Sequence, residues 1–296
     1  MPRPFGKKAS SALPELAVHL FLIMICAAML YPFIYVVSAS FSDPEAIRAN
    51  RVVLGPVGPL SGKAYDLVFR DQRIWTGYAN TLYLAILGTA VNLGVTVLAA
   101  YPMSRRNFRG RTFMNLFVSM TMFISATGIM IPLFLVVKSL HLLDTRISLL
   151  IVFAANPFFI ILMRSFFSTI PEELFEAARI DGATEWTILF RVALPVSGAA
   201  LATIGLYYLI NRWNGYFWAM VFISDPKKLP LQVVLQQLIV TAQMGEELDQ
   251  SIVKAGTTAE AVKYAAIVVS TAPITLVYPF IQKYFVKGAT LGSVKG

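Results

Sequence analysis

Long apolar stretches almost free of Asp, Glu, Lys and Arg recur along the chain, at 16–42, 74–104, 112–137, 147–163, 192–224 and 264–282. A bilayer core about 30 Å thick takes about 20 apolar residues per helix. Only the stretch 192–224 is interrupted, by Arg212, and the residues on either side of it are as apolar as those of any other stretch. The pattern predicts an all-α integral membrane protein with six transmembrane helices at about 16–40, 78–103, 113–137, 147–166, 197–223 and 262–284, forming a single domain over 1–296. A folded segment, 168–195, is expected between the fourth and fifth helices. The first stretch exceeds the roughly 7–15 apolar residues of a signal peptide, so it is expected to be a retained helix.

Composition agrees with that solvent. Hydrophobic residues make up 57% and charged residues 14% of the chain, against roughly 45–50% and about 25% for a soluble domain. The net charge of +9 is spread over short clusters between apolar stretches and forms no single basic face, which argues against nucleic acid. Charge also sets orientation, because short cytoplasmic loops are rich in Lys and Arg. Arg105, Arg106, Arg109 and Arg111 stand together without an acid. Their loop, the amino terminus (Arg3, Lys7, Lys8) and the carboxy terminus (Lys283, Lys287, Lys295) are therefore expected on the cytoplasmic side. Segments 43–73, 138–146 and 225–261 then lie outside, where the longer two suit partner docking. Pro132, Pro157, Pro273 and Pro279 fall within the spans and predict kinks, as each removes a backbone donor.

The segment from Ser168 to Trp186 reads as two short helices. Thr169 with Glu172 predicts a capping box, Pro171 suits a first turn, Gly182 stops the first helix and Thr184 caps the second. Leu174, Phe175 and Ala178 are expected to share one face, while Ala177 and Ala178 are small enough to admit another protein's surface. The alternative is a helix resting on lipid headgroups, which its acidic first turn disfavours. The run Glu176-Ala177-Ala178, then Asp181-Gly182-Ala183, then Leu194-Pro195 resembles the EAA loop of bacterial ABC importer permeases. The ending from Phe285 to Gly296 resembles the tail of the maltose-type second permease subunit. Trp213-Asn214 and Leu229-Pro230-Leu231-Gln232 resemble the branch that imports complex oligosaccharides.

That resemblance implies a bacterial inner-membrane permease paired with a second permease, two ATPases and an extracytoplasmic binding protein. It assigns ATPase coupling to Glu176, Ala177, Ala178, Asp181 and Gly182, and to the tail residues Thr290, Leu291 and Gly292. It also makes the loop 225–261 the counterpart of one that probes the binding protein's ligand cleft. The chain has no G-x-x-x-x-G-K-[ST] loop, so ATP and Mg are expected on the partner ATPases, with no cofactor or catalytic residue in this chain. His19, His141 and the lone Cys26 offer no metal or disulfide framework.

Sugars are held by hydrogen bonds at their edges and by aromatic rings on their apolar faces. The fifth stretch brings Tyr207, Tyr208, Asn211, Arg212, Trp213, Asn214, Tyr216 and Trp218 together, and Asn156 adds a polar group in the fourth. An interfacial aromatic belt, with Asn serving helix packing, is the competing reading. Arg212 is a functional candidate because a charge inside a span is costly. It faces either the path, favouring an acidic sugar such as a uronate oligosaccharide of the alginate or pectin type, or an acid of the second permease, or it snorkels outward. The alternatives for function are an ABC permease for a non-sugar solute, such as an amino acid or phosphate, and an ion-coupled secondary transporter. The latter needs acids or His in the spans as coupling sites, and the apolar stretches contain no acid.

Overall fold

The structure, a computed structural model, describes residues 12–125, 127–244 and 257–291. Among these the regular elements are helical: α1 (Ala12–Phe41), α2 (Pro44–Arg48), α3 (Lys63–Arg70), α4 (Gln72–Ser104), α5 (Arg111–Thr121), α6 (Met130–Ser139), α7 (Arg146–Ile151) and α8 (Pro157–Phe167). There follow α9 (Glu172–Ile180), α10 (Glu185–Ile188), a π-helical turn (Leu189–Ala193), α11 (Leu194–Val196), α12 (Gly198–Asn214), α13 (Phe217–Phe222), α14 (Leu231–Met244) and α15 (Ala259–Leu291). The chain forms two compact units, 1–71 with 237–272, and 72–236 with 273–296.

Among the described residues three helices are long and apolar enough to cross a membrane, Pro14–Phe41, Gln72–Ser104 and Ala259–Leu276, or four if Glu185–Val196 and Gly198–Asn214, bent by 83°, count as one. The continuous helices expected over 113–137, 147–166 and 197–223 are instead broken into α5 and α6, α7 and α8, and α12 and α13. Each break has a helix-breaking residue at or beside it. Gly128 lies between α5 and α6, Gly215 ends α12, and Pro157 opens α8 behind Asn156, whose Oδ1 accepts the Phe159 N–H at 3.3 Å. Pro157 therefore starts a helix and does not kink one. Pro132 sits in the first turn of α6, where an absent N–H costs nothing. Pro273 and Pro279 lie inside the continuous α15, as Pro32 does in α1 and Pro102 in α4.

In the first unit most of α1 is exposed along its apolar length, as a lipid-facing helix would be, and its packing is concentrated at the C-terminal end, where the Tyr35 ring lies 5.7 Å from that of Tyr264 and the last turn is buried. There Ser42 Oγ donates to the Ser38 carbonyl at 2.7 Å and accepts the Val57 N–H at 3.0 Å, and Ser40 Oγ meets the Tyr65 hydroxyl at 2.7 Å. The small residues Ser38, Ala39 and Ser40 are buried because segment 52–65 folds back over them.

In the second unit α4 is the central helix. Gly77, Asn80, Thr81, Leu84, Ala85, Gly88, Asn92 and Thr96 are buried along it, at the spacing of one helical face. Its C-terminal half packs Val97, Ala100, Tyr101 and Met103 with Phe159, Met163 and Phe167 of α8, Ile188, and Ile204 and Tyr208 of α12. At its other end the Leu229-Pro230-Leu231 motif docks: Asn80 Nδ2 donates to the carbonyls of Lys227 and Leu229 at 2.9 Å, and the Leu231 N–H donates to Thr81 Oγ1 at 2.9 Å. Gly77 allows this approach, since a Cβ there would lie 3.0 Å from Leu231 Cα.

A second clasp joins segments 141–145 and 222–228. Asp144 Oδ1 accepts the N–H groups of Asp225 (2.9 Å) and Ser224 (3.1 Å), and Oδ2 lies 3.2 Å from the Lys228 ammonium. The Asp225 N–H, with the Lys228 ammonium and the Ser224 N–H, holds the Asp144 carboxyl below its ordinary pKa, against the opposing effect of desolvation. A depressed carboxyl stabilises the folded form above the unfolded pKa, about 3.9, and that stabilisation is lost as pH falls through the folded value. Hydrogen-exchange protection of the Ser224 and Asp225 amides is expected to be constant from neutral pH down to about 4 and to fall below it. In Asp144→Asn protection should already be lower at pH 7, and equal protection in the variant would refute the clasp.

Candidate functional site

The functional candidates other than those of the tail occupy two places, both within the second unit. The first is the segment between α8 and α12. The capping box does not form, since Thr169 Oγ1 turns back to the Phe166 carbonyl (2.7 Å) and Pro171 takes the N-cap position. Glu172 instead pairs with Arg105 (3.3 Å) and Arg179 (3.4 Å). The ends behave as expected: Gly182 has φ +78°, its N–H donates to the Arg179 carbonyl (3.0 Å) and the Ala183 N–H to the Ala178 carbonyl (3.0 Å). Thr184 then caps α10 by accepting the Thr187 N–H at 3.3 Å. Leu174 does not share the buried face. Phe175 is fully buried and Ala178 half-buried, whereas Leu174 is exposed together with Glu176, Ala177, Ile180, Asp181 and Gly182. Of the tail residues, Thr290 and Leu291 end α15 and Gly292 lies outside the described residues.

The second place is a cavity of about 760 Å³ walled by α4, α12, α13 and the breaks in the paired helices. Asn156, Asn211, Arg212, Asn214 and Trp218 all line it. Trp213 and Tyr207 do not: Trp213 is buried with its ring 6.5 Å from that of Tyr78, and Tyr207 lies 5.6 Å from Phe159. Sequence reasoning missed Asn92, Phe153 and Met122 on the cavity wall. Asn92, a polar residue in the middle of an apolar stretch, was the one that carried a signal. Phe153, 5.0 Å from the Trp218 ring, enters only through tertiary packing.

Arg212 is fixed by its own chain. Its Nη1 donates to the Leu149 carbonyl, and its Nη2 to Asn92 Oδ1 (2.8 Å), the Leu150 carbonyl (3.1 Å) and, more weakly, the Phe153 carbonyl (3.4 Å). These carbonyls end α7, where the helix leaves acceptors unpaired and the dipole favours a cation. The side chain lies across Gly88, where a Cβ would be 2.8 Å from Nε. Among the described residues no carboxylate pairs with Arg212, so its charge stands at the cavity wall, beside the amides of Asn156, Asn211 and Asn214. Rings for the apolar face of a sugar (Phe153, Tyr216, Phe217, Trp218) are in the same wall.

A polar, cation-bearing cavity in a helical unit, with an exposed helix pair beside it, suits a membrane transport subunit. The family model described as "Binding-protein-dependent transport system inner membrane component" matches residues 92–290, and the chain belongs to that family. It is 40% identical over 284 residues to the polygalacturonan/rhamnogalacturonan transport system permease protein YtcP of Bacillus subtilis, covering 95% of this chain and 98% of that one. It is 38% identical to Protein LplC of the same organism, over 94% of this chain and 93% of that one. Among solved structures, a chain of a bacterial ABC transporter involved in the import of the acidic polysaccharide alginate matches at 40% identity and a TM-score of 0.87, over 96% of this chain and all of that one.

Proposed function

We propose that the protein carries acidic oligosaccharides through the cavity at Asn156, Asn211, Arg212, Asn214 and Trp218. The protein is a non-catalytic permease subunit of a binding-protein-dependent ABC importer of oligosaccharides in the inner membrane. It works with a second permease, two ATPases and a solute-binding protein. ATP and Mg are held by the ATPases. In this reading six crossings are made by α1, α4, α5 with α6, α7 with α8, α12 with α13, and α15. An 11-residue helix such as α5 or α8 rises roughly 17 Å, about half the hydrocarbon core, so two in series make one crossing. Both termini are cytoplasmic, and α9 is the coupling helix, presenting Glu176, Ala177, Asp181 and Gly182 to an ATPase.

The observation that carries the acidic-sugar reading is a guanidinium with no carboxylate partner among the described residues, held by neutral acceptors in a cavity wall that also has three amides and a row of rings. The relatives support it in kind: polygalacturonan and alginate are named for the similar transporters, and both polymers are uronates. The test is ATPase activity of the reconstituted complex with its binding protein, across matched neutral and uronate oligosaccharides. Uronates are expected to stimulate hydrolysis, with neutral sugars at least tenfold less effective. Stimulation by neutral sugars alone would overturn the acidic assignment while leaving the importer intact.

A further inference from the structure

Of the four arginines at 105–111, Arg105 alone is buried. A cation that serves only to orient a membrane protein has no reason to leave water. Arg105 directly follows α4 and bridges three elements. Its Nε donates to Ser104 Oγ (3.0 Å), its Nη2 to the Phe167 carbonyl in the last turn of α8 (2.6 Å), and its Nη1 to Glu172 Oε2 in the first turn of α9 (3.3 Å). The guanidinium carbon lies 3.8 Å from the centre of the fully buried Phe175 ring, a desolvated cation–π contact.

The contacts continue in a closed circuit. Glu172 reaches Arg179 (3.4 Å), Arg179 reaches Glu185 at the start of α10 (3.2 Å), and Glu185 accepts the Tyr101 hydroxyl (2.8 Å). Tyr101 lies in the last turn of α4 and Arg105 directly follows it, so the circuit begins and ends at the C-terminal end of that helix. It encloses both halves of the segment that carries the EAA motif. The same α4 contributes Leu84 and Asn92 to the cavity wall. The geometry points to Arg105 as the positioning residue that fastens α9 to α4, so that displacement of the coupling helix moves the cavity wall. This assignment rests on the reading of α9 as the coupling helix.

The test is made on the reconstituted complex with its binding protein, reading ATP hydrolysed per sugar imported. In an assembled Arg105→Gln complex, basal hydrolysis is expected to stay within twofold of wild type while ATP per sugar rises at least fivefold. Arg105→Lys keeps the charge but cannot bridge all three acceptors, and should give an intermediate rise. A ratio within twofold of wild type in assembled Arg105→Gln overturns the assignment. If that variant does not assemble, Phe175→Leu and Glu172→Gln each weaken one of the contacts of Arg105, and an unchanged ratio in both overturns it equally. A second readout is independent of the sugar: in a Cys26→Ser background, spin labels at Leu98 and Ile180 should give a narrow distance distribution that broadens with Arg105→Gln. No broadening refutes the fastening. A wild-type complex that no sugar stimulates would sink the sugar assignment alone, because the label experiment still decides for Arg105.

Discussion

Arg212→Gln is expected to lose about 3 kcal/mol or more of stability and to lower the yield of assembled complex, because it unpairs the carbonyls of Leu149 and Leu150 and the amide of Asn92 together. A buried polar group left without a partner costs about 1–3 kcal/mol, and here three lose theirs. Arg212→Lys retains the charge but, as a point donor, holds fewer acceptors, so it should melt between wild type and Gln. Gly88 supplies an independent approach to the same contact. A Cβ at Gly88 would lie 2.8 Å from Arg212 Nε and 3.0 Å from Cδ, in the pinned middle of the side chain. Overpacking of that kind costs about 1–3 kcal/mol, against a gain in helix propensity of about 1 for Ala. Gly88→Ala is therefore expected to be mildly destabilising and Gly88→Val strongly so. Thermal melting of the purified complex checks the series, and a Gln variant that melts with wild type would show that the carbonyl contacts carry no weight. The Lys variant also separates support from selection: a retained preference for uronates there, lost in whatever Gln complex is recovered, assigns selection to the charge.

The second large effect is expected at the end of α9. Gly182 holds φ +78° and donates its N–H to the Arg179 carbonyl. Proline is locked near −65° and has no N–H, so Gly182→Pro must rebuild the turn that separates α9 from α10. Membrane insertion should persist, whereas stimulation of ATP hydrolysis by the loaded binding protein should fall at least tenfold. Gly182→Ala is the control, since nothing lies within 4 Å of a Cβ there and only the left-handed backbone is strained, by about 1–2 kcal/mol. It should keep most of the stimulation. Glu176→Lys, on the exposed face of α9, should uncouple without unfolding the turn. Full stimulation in Gly182→Pro and Glu176→Lys would remove α9 from the coupling role.

The sequence determined what depends on local chemistry. Apolar runs dictate helices in a membrane, and the all-helical class and the family follow from them and from the motif at 176–183. Gly182 and Thr184 act as read, because a left-handed turn and an N-cap are decided within a few residues. Asn156, Asn211, Arg212, Asn214 and Trp218 were legible as polar and aromatic groups in apolar surroundings, and they meet in one cavity.

Tertiary structure decided what depends on partners distant in the chain. Thr169 and Glu172 satisfy the pattern of a capping box, yet Glu172 goes to Arg105, 67 positions away, where a buried cation offers more than a backbone N–H. Trp213 turns from the cavity toward Tyr78, and the breaks at 122–129 and 152–156 interrupt stretches whose hydropathy is continuous. Hydropathy reports only the solvent that a residue prefers. Whether a helix can break inside that solvent depends on which side chain satisfies the freed carbonyls, and for α7 that side chain is Arg212, 62 positions further along the chain from Leu150.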